Sequence, residues 1–203
     1  VGYLAGAAVS TGARNTLVGG LAGDALTTGE ENVAIGYLAL SAEDAHGYNT
    51  AVGTYALTSQ NAGASGFNTS IGYYSGYWIS TGTHNTLLGA YAGDNLTTGG
   101  YNVAIGHHAL GAEQGYGKNI AIGYQALEQQ NAGADAYNVG VGYNAGAAVT
   151  TGTLNTLIGG LAGDALTTGG YNVAVGTRAL GAEDGHGGNV AVGVDALMLL
   201  NAG

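Results

Sequence analysis

The chain has 203 residues, including 41 glycines and no proline or cysteine, and its formal charge at pH 7 is −10. Only three residues are lysine or arginine, which argues against partners such as nucleic acid or anionic membranes, because both are bound through clustered cations. No apolar run approaches the roughly 20 residues of a membrane helix, so we expect no membrane insertion. Glycine without a three-residue period excludes collagen.

One five-residue pattern recurs along the chain. It reads Asn, a β-branched residue, a small or aliphatic residue, an aliphatic residue and Gly, as in Asn32–Gly36, Asn102–Gly106 and Asn172–Gly176. A fixed period of this size is typical of a solenoid, in which each repeat forms one coil. The asparagines open eleven coils of 17 or 19 residues, at positions 15, 32, 49, 68, 85, 102, 119, 138, 155, 172 and 189. We predict an all-β parallel β-solenoid (β-roll) over residues 1–203, without separate domains.

The sequence also has a longer period, which spans four coils. Three coils of 17 residues and one of 19 form a four-coil super-repeat of 70 residues, so positions 1, 71 and 141 are in register. Terminal repeats of a free-standing solenoid usually differ from the rest because they cap the stack, and neither end of this chain differs. We expect the chain to be a window of a longer array, or a unit that stacks end to end.

Each coil can be read from its Asn, which we number position 0. Position +1 is Thr, Val or Ile and position +3 is Val, Ile or Leu, as at Ile105, which predicts a strand. Position +2 is mostly Ala or Leu, so both strand faces are apolar. We expect two strands per coil, position +3 in the coil interior, and position +2 at a seam between protomers, at Ala34, Leu87, Ala104, Leu157 and Ala174.

Positions 0 and +4 have predicted structural roles. Asn tolerates left-handed backbone, and in a stack its side chain can bond the Asn of the next coil. Gly at +4 indicates positive φ or a close backbone neighbour. The sequence therefore predicts an Asn ladder beside a glycine column, exemplified by Asn32, Gly36, Asn102, Gly106, Asn172 and Gly176.

These residues carry a resemblance to known repeats. The run Asn-Val-Ala-Ile-Gly-x-x-Ala resembles the head repeat of trimeric autotransporter adhesins, and residues 49–57 with Leu-Thr-Thr-Gly linkers are similar to repeats of phage tail-fibre proteins. The resemblance covers all eleven coils. It implies a left-handed β-roll, a homotrimeric or filamentous assembly and an extracellular location, at a cell surface, in an extracellular filament or in a virion tail fibre.

One acidic segment has the residue types of a metal site. Glu43, Asp44 and His46 place two carboxylates beside an imidazole, and the same set recurs at residues 183–186, but the middle block has Gln114 and Tyr116 instead. We interpret the segment as a solvated turn and predict no metal and no cofactor. No nucleophile–base pair recurs in the coils, so we expect no enzyme activity.

Aromatic residues distinguish the middle block from its neighbours. The block carries six rings where the outer blocks have mostly small, aliphatic or polar residues: Tyr74, Tyr77, Trp78, Tyr91, His107 and His108. Position +6 of four successive coils is aromatic, at Tyr55, Tyr74, Tyr91 and His108, which predicts a ladder with steps of roughly 4.8 Å. The ladder is either a packing or lateral protomer contact, or a platform for a sugar or receptor.

The sequence thus supports several functional hypotheses. The first is a structural, fibre-forming segment that holds or presents a binding tip. The alternative is an adhesive head that binds a cell-surface glycan or receptor through the aromatic residues of the middle block. Ice binding is a third interpretation, weakened because Thr does not recur in every coil.

Overall fold

The computed structural model describes residues 1–182 and 184–199, which form a parallel β-solenoid. Eleven strands of three residues make one sheet in which each strand pairs with the next strand along the chain. The strands are β1 (Thr16–Val18), β2 (Val33–Ile35), β3 (Thr50–Val52), β4 (Thr69–Ile71), β5 (Thr86–Leu88), β6 (Val103–Ile105), β7 (Ile120–Ile122), β8 (Val139–Val141), β9 (Thr156–Ile158), β10 (Val173–Val175) and β11 (Val190–Val192). The predicted parallel β-solenoid is confirmed.

The strands pair in the register of the sequence repeat. In β6 and β7, for example, Val103 pairs with Ile120 and Ala104 with Ala121. Residues at one repeat position therefore form a continuous column along the stack, and the columns at +1, +2 and +3 run through all eleven strands.

The expected assignment of the two strand faces is wrong. The residues at position +2 that were predicted at a protomer seam lie inside the coil and are completely buried: Ala34, Leu87, Ala104, Leu157 and Ala174. Positions +1 and +3 point outward, and Ile105 is only partly buried. Since Asn at position 0 is also buried in nearly every coil, the alternation of a strand places +2 beside it on the inner side.

The second predicted strand of each coil does not form in the described residues. Opposite the sheet, the chain curls around single carbonyl groups instead of extending. The N–H groups of Ser10, Thr11 and Gly12 all donate to the Thr27 carbonyl, at 2.9, 3.3 and 3.2 Å. This satisfies the backbone in a bend, so coils still hydrogen-bond to each other on that side without a strand ladder.

The Asn ladder is confirmed. Each Asn Oδ1 accepts the backbone N–H of the Asn one coil later, through ten rungs of 2.8 to 3.2 Å from Asn15 to Asn189. In most 17-residue coils the amide Nδ2 also donates to the carbonyl 14 residues later, as from Asn85 to Gly99 at 2.9 Å. One side chain thus satisfies two buried backbone groups per coil.

The hydrogen bond donated by the Asn Nδ2 atom is missing in the two 19-residue coils. Their asparagines, Asn49 and Asn119, keep the Oδ1 rung, but their buried Nδ2 atoms have no partner. Buried glutamines lie in the same coils, where Gln60 and Gln130 accept from the Nδ2 of the following Asn at 3.0 and 2.6 Å. The two extra residues therefore change the polar interior of every fourth coil.

Glycine at position +4 is required for two reasons. Gly106 has φ +132°, and a Cβ added there would lie 2.3 Å from the carbonyl oxygen of Gly123. Gly36 and Gly176 have φ +136° and +135° and equally close backbone neighbours. Side chains are excluded from this column both by backbone conformation and by the spacing between coils.

The core is filled by complementary residue sizes at positions +2 and +8. Coils with Ala at +2 have Leu at +8, as in Ala104 and Leu110. Coils with Leu at +2 have Gly at +8, and a Cβ on Gly93 would lie 2.9 Å from a methyl group of Leu87. Each of these coils has one large side chain at this level. The coils that begin at Asn68 and Asn138 have none there, and leucines of the neighbouring coils pack against their glycines at +8.

Candidate binding surface

The aromatic side chains are set by the backbone that follows each strand. After Gly at +4 the chain leaves the sheet, and the residue at +6 has a left-handed φ between 51° and 62° in all eleven coils, although none of these residues is glycine. Such backbone costs a non-glycine residue about 1–2 kcal/mol. The N–H of each +6 residue donates to the carbonyl of residue +5 in the preceding coil, as from Tyr91 to Tyr73 at 2.9 Å, which helps to hold this conformation.

The predicted aromatic ladder at +6 is present. Ring centroids lie 4.7 Å apart between Tyr55 and Tyr74, 5.6 Å between Tyr74 and Tyr91, and 4.9 Å between Tyr91 and His108. The last pair is almost parallel, with 7° between the ring planes. The spacing follows from the distance between adjacent strands, which is also the distance at which rings stack.

The six aromatic residues singled out in the middle block form one connected cluster, the aromatic patch (Tyr74, Tyr77, Trp78, Tyr91, His107 and His108). Tyr77 contacts Tyr74 at 4.7 Å and meets Trp78 edge to face at 4.7 Å. His107 and His108 are perpendicular neighbours at 4.4 Å. Trp78 is 54 % exposed at the border of the patch, so the structure joins the six rings and leaves one indole available to solvent.

A second aromatic column was missed from the sequence. It occupies position −1, where Tyr48, Phe67, His84 and Tyr101 stack with centroids 5.0, 5.1 and 4.7 Å apart. The four tyrosines at this position were visible in the sequence, but only two of them lie in this column, which Phe67 and His84 complete. Alignment by coil position without regard to ring type would have found it.

Between these columns lies the outer sheet face, which we define as positions +1, +3 and +5. Large apolar residues on it are exposed, including Ile71, Leu88 and Tyr143 at 37, 45 and 58 %. None of its residues in the eleven coils is Asp, Glu, Lys or Arg. The charges of the adjoining −1 column are Arg14, Glu31 and Lys118. Isolated exposed apolar residues are normal, but a continuous patch of this kind marks an interaction surface.

A polar pocket adjoins the aromatic patch. Its volume is about 340 Å³, and its lining includes Asp94, His108, Glu128 and Gln129. Burial raises the pKa of Asp94, which His108 opposes, and Asp94 Oδ1 is buried without a partner. The first block has Leu38, Thr58 and Ser59 at the corresponding positions of His108, Glu128 and Gln129. The combination of His108, Glu128 and Gln129 beside exposed rings is therefore particular to the middle block, and these groups can bind hydroxyl groups of a ligand.

Comparison with protein-family models, curated proteins and solved structures gives no significant match to this chain. The described part of the chain also contains no helix with the length and hydropathy needed to cross a membrane. The functional argument therefore rests on the surface itself.

Proposed function

We propose that this chain is a structural, fibre-forming segment that assembles with copies of itself through the outer sheet face. The observation that supports this proposal is the uncharged, apolar surface that all eleven coils share. From position +1 to +5 this face is about 13 Å wide, and ten inter-strand steps make it about 48 Å tall, an area of roughly 600 Å². A stable protein interface needs about 800 Å² from each partner, which the face reaches together with the adjoining −1 column, where the combined area is roughly 1,000 Å².

A second copy of the chain is the partner that fits this face best. The side-chain columns of this face repeat at the inter-strand distance, and an identical solenoid has the same repeat. The side chains of two copies can therefore interdigitate along the whole length of the face. The chain as a whole carries a formal charge of −10, which repels copies, while the charge-free face is the place where close approach costs least. We propose a homotrimer or filament that works outside the cell as the shaft of a tail fibre, adhesin or extracellular filament and presents a binding tip.

The assembly can be tested by placing a charge on the outer sheet face. Leu88→Glu is expected to convert the oligomer to folded monomers, because a carboxylate buried between two apolar faces has no partner. Light scattering coupled to size exclusion measures the mass, and far-UV circular dichroism checks the fold. Ala64→Glu is the matched control, since Ala64 is exposed but lies outside the strand columns. A monomeric parent protein, or an oligomer that survives Leu88→Glu, would contradict the proposal.

The aromatic patch supports a second function, recognition of a neutral carbohydrate along the shaft. Exposed Trp78 and the rings beside it can stack on the apolar face of a sugar, while Asp94 and Glu128 in the adjoining pocket can accept hydrogen bonds from its hydroxyl groups. The outer blocks adopt the same coil without Trp78 and Glu128, although both keep an aspartate at the position of Asp94, so coil geometry alone does not require the tryptophan or the glutamate.

The single tryptophan makes carbohydrate binding measurable. Trp78 is the only tryptophan in the chain, so titration with neutral oligosaccharides is expected to shift its fluorescence. Asp94→Asn combined with Glu128→Gln keeps the indole and should weaken binding at least about tenfold, as expected when hydrogen bonds to a ligand are lost. Asp24→Asn, at the equivalent position of the first block, is the control and should change nothing. Trp78→Ala with Tyr74→Ala should abolish retention on a glycan array. If that change loosens the oligomer instead, the patch is a protomer contact.

A further inference from the structure

The segment from Glu43 to His46 is only in part the solvated turn that its sequence indicates, because Ala45 is exposed while Glu43 is buried. Glu43 is completely buried, and burial raises the pKa of its carboxyl group, against the opposing effects of the His46 backbone N–H and imidazole. Glu43, Asp44 and His46 each place one ligand atom within 4.8 Å of the other two. The structure thus brings together two carboxylates and one imidazole at the corner of one coil.

Two buried polar atoms of this cluster lack hydrogen-bond partners. Glu43 Oε1 accepts the His46 backbone N–H at 3.0 Å, but Glu43 Oε2 and His46 Nδ1 are both buried without a partner. Leaving such groups unsatisfied is unfavourable, and most of all for a carboxylate. A ligand that bonds both a carboxylate oxygen and an imidazole nitrogen would remove the penalty.

The spacing of the two groups fits a metal ion between them. His46 Nδ1 lies 3.6 Å from Glu43 Oε1, the oxygen that also accepts the His46 backbone N–H. This distance is within ion-pair range but too long for a hydrogen bond. Two ligands of a tetrahedral zinc ion, each about 2.1 Å from the metal, lie about 3.4 Å apart. The observed distance is therefore close to one edge of a zinc coordination tetrahedron.

We propose that Glu43, Asp44 and His46 bind a divalent transition-metal ion, with Zn²⁺ as the best match. One imidazole and two carboxylates are ligands that zinc accepts, whereas calcium takes six to eight oxygen ligands. A surface pocket of about 230 Å³, lined by His46, Thr28, Glu30 and Tyr48 among others, adjoins the cluster. It leaves space for a water molecule in the fourth position and for entry of the ion.

The bound ion would stabilise a contact between coils. The Asp44 carbonyl accepts the N–H groups of Thr27 and Thr28 from the preceding coil, at 2.6 and 3.2 Å. The His46 carbonyl accepts from Asn32 Nδ2 at 3.1 Å. Fixing the side chains of Asp44 and His46 thus fixes the carbonyl groups on which the neighbouring backbone and the Asn ladder depend. This role is independent of whether the chain is a fibre or a glycan-binding head.

The middle block has the buried glutamate of this cluster without the other two proposed ligands, so it can be compared with the first block. In the middle block Glu113 is equally buried, with Oε1 accepting two backbone N–H groups at 3.2 Å and Oε2 without a partner. Gln114 and Tyr116 replace the aspartate and histidine there, so the middle block cannot complete the ligand set. The third block repeats Asp184 and His186 in sequence, while Glu183 lies outside the described residues.

Calorimetric titration of metal-free protein with ZnCl₂ tests the proposal, in a His186→Ala background that leaves only the first-block set. We expect one zinc ion and a higher melting temperature with zinc. Asp44→Asn and His46→Ala should each weaken binding at least about tenfold. His84→Ala, at an exposed histidine bonded to Thr83, should leave the affinity unchanged. Co²⁺ in place of Zn²⁺ should give the visible absorption of a tetrahedral site, which His46→Ala should remove.

A gain of binding provides the complementary test. Gln114→Asp with Tyr116→His, in the same background, completes the set around Glu113 and should add a second zinc ion. Failure of the background protein to bind zinc would overturn the proposal, as would binding of equal affinity after Asp44→Asn and His46→Ala together. Circular dichroism without metal shows that each variant is folded, so that loss of binding is not confused with loss of structure.

Discussion

Replacing Gly106 with valine is expected to lower the free energy of unfolding by about 2–6 kcal/mol, the sum of a strained backbone and an overpacked contact. Gly106 has φ +132°, and its added Cβ would lie 2.3 Å from the Gly123 carbonyl oxygen. That oxygen is held in place, because it accepts the Ala126 N–H at 3.4 Å and the Gly123 N–H donates to the Ile105 carbonyl at 2.7 Å. The two coils must separate to admit the side chain.

Gly115→Val is the matched control for this change. A Cβ on Gly115 would meet only Thr98 Oγ1, at an ordinary contact distance of 3.5 Å, and Gly115 is neither a positive-φ glycine nor part of the outer sheet face. The melting temperature of this variant, followed by far-UV circular dichroism, is expected to stay within a few degrees of the parent protein, as for other surface changes. Equal melting temperatures for the Gly106 and Gly115 variants would show that the coils are not in contact as described.

Leu87→Ala is expected to lower the free energy of unfolding by about 2–5 kcal/mol, as for other buried leucines. Leu87 is fully buried, and its methyl groups lie 2.8 and 2.9 Å from the places where Cβ atoms of Gly76 and Gly93 would be. Removing them leaves a cavity lined by glycine, which has no side chain to move into the space.

Adding Gly93→Leu to that variant should recover part of the loss. The double variant places Ala at +2 and Leu at +8, as Ala104 and Leu110 do in the next coil, and Gly93 and Leu110 share the same φ of 54°. Recovery is incomplete because the buried Leu96, whose Cδ1 lies 2.8 Å from the added Cβ, must shift. Gly93→Leu alone should destabilise the fold, because the new side chain meets both Leu87 and Leu96. A double-mutant cycle in urea or heat measures the coupling. Additive effects of the two changes would contradict complementary packing of positions +2 and +8.

The period of the sequence was sufficient to predict the solenoid and its register. Asn at position 0 makes the same hydrogen bond in successive coils, and Gly at +4 meets the same close backbone neighbour. Both residues therefore recur at fixed positions, and their structural roles could be predicted from the sequence alone. The direction of the strand faces was predicted wrongly, because positions +1, +2 and +3 are all apolar and their residue types do not distinguish inside from outside. The signal was nevertheless present. A buried Asn ladder requires +2 inside, since Asn102 and Ala104 lie on the same face of one strand.

The binding surface was predictable in part. Rings in successive coils stack because the coils are a strand spacing apart, so the +6 ladder followed from the sequence. The left-handed backbone at +6 could not be predicted from the sequence, because leucine, tyrosine and arginine show no preference for it. Only the surrounding coil stabilises this conformation. The burial of Glu43 was likewise not predicted, because a carboxylate next to Asp44 is ordinarily solvated.

The Asn ladder gives the solenoid a direction. Every Oδ1 accepts from the coil that follows it in the chain, and none of the ten rungs is reversed. The side-chain dipoles therefore point the same way, and each polarises the next. A coil added at one end must offer a backbone N–H, and a coil added at the other must offer an amide oxygen. Any array built by stacking such segments is consequently polar, and its two ends cannot be exchanged.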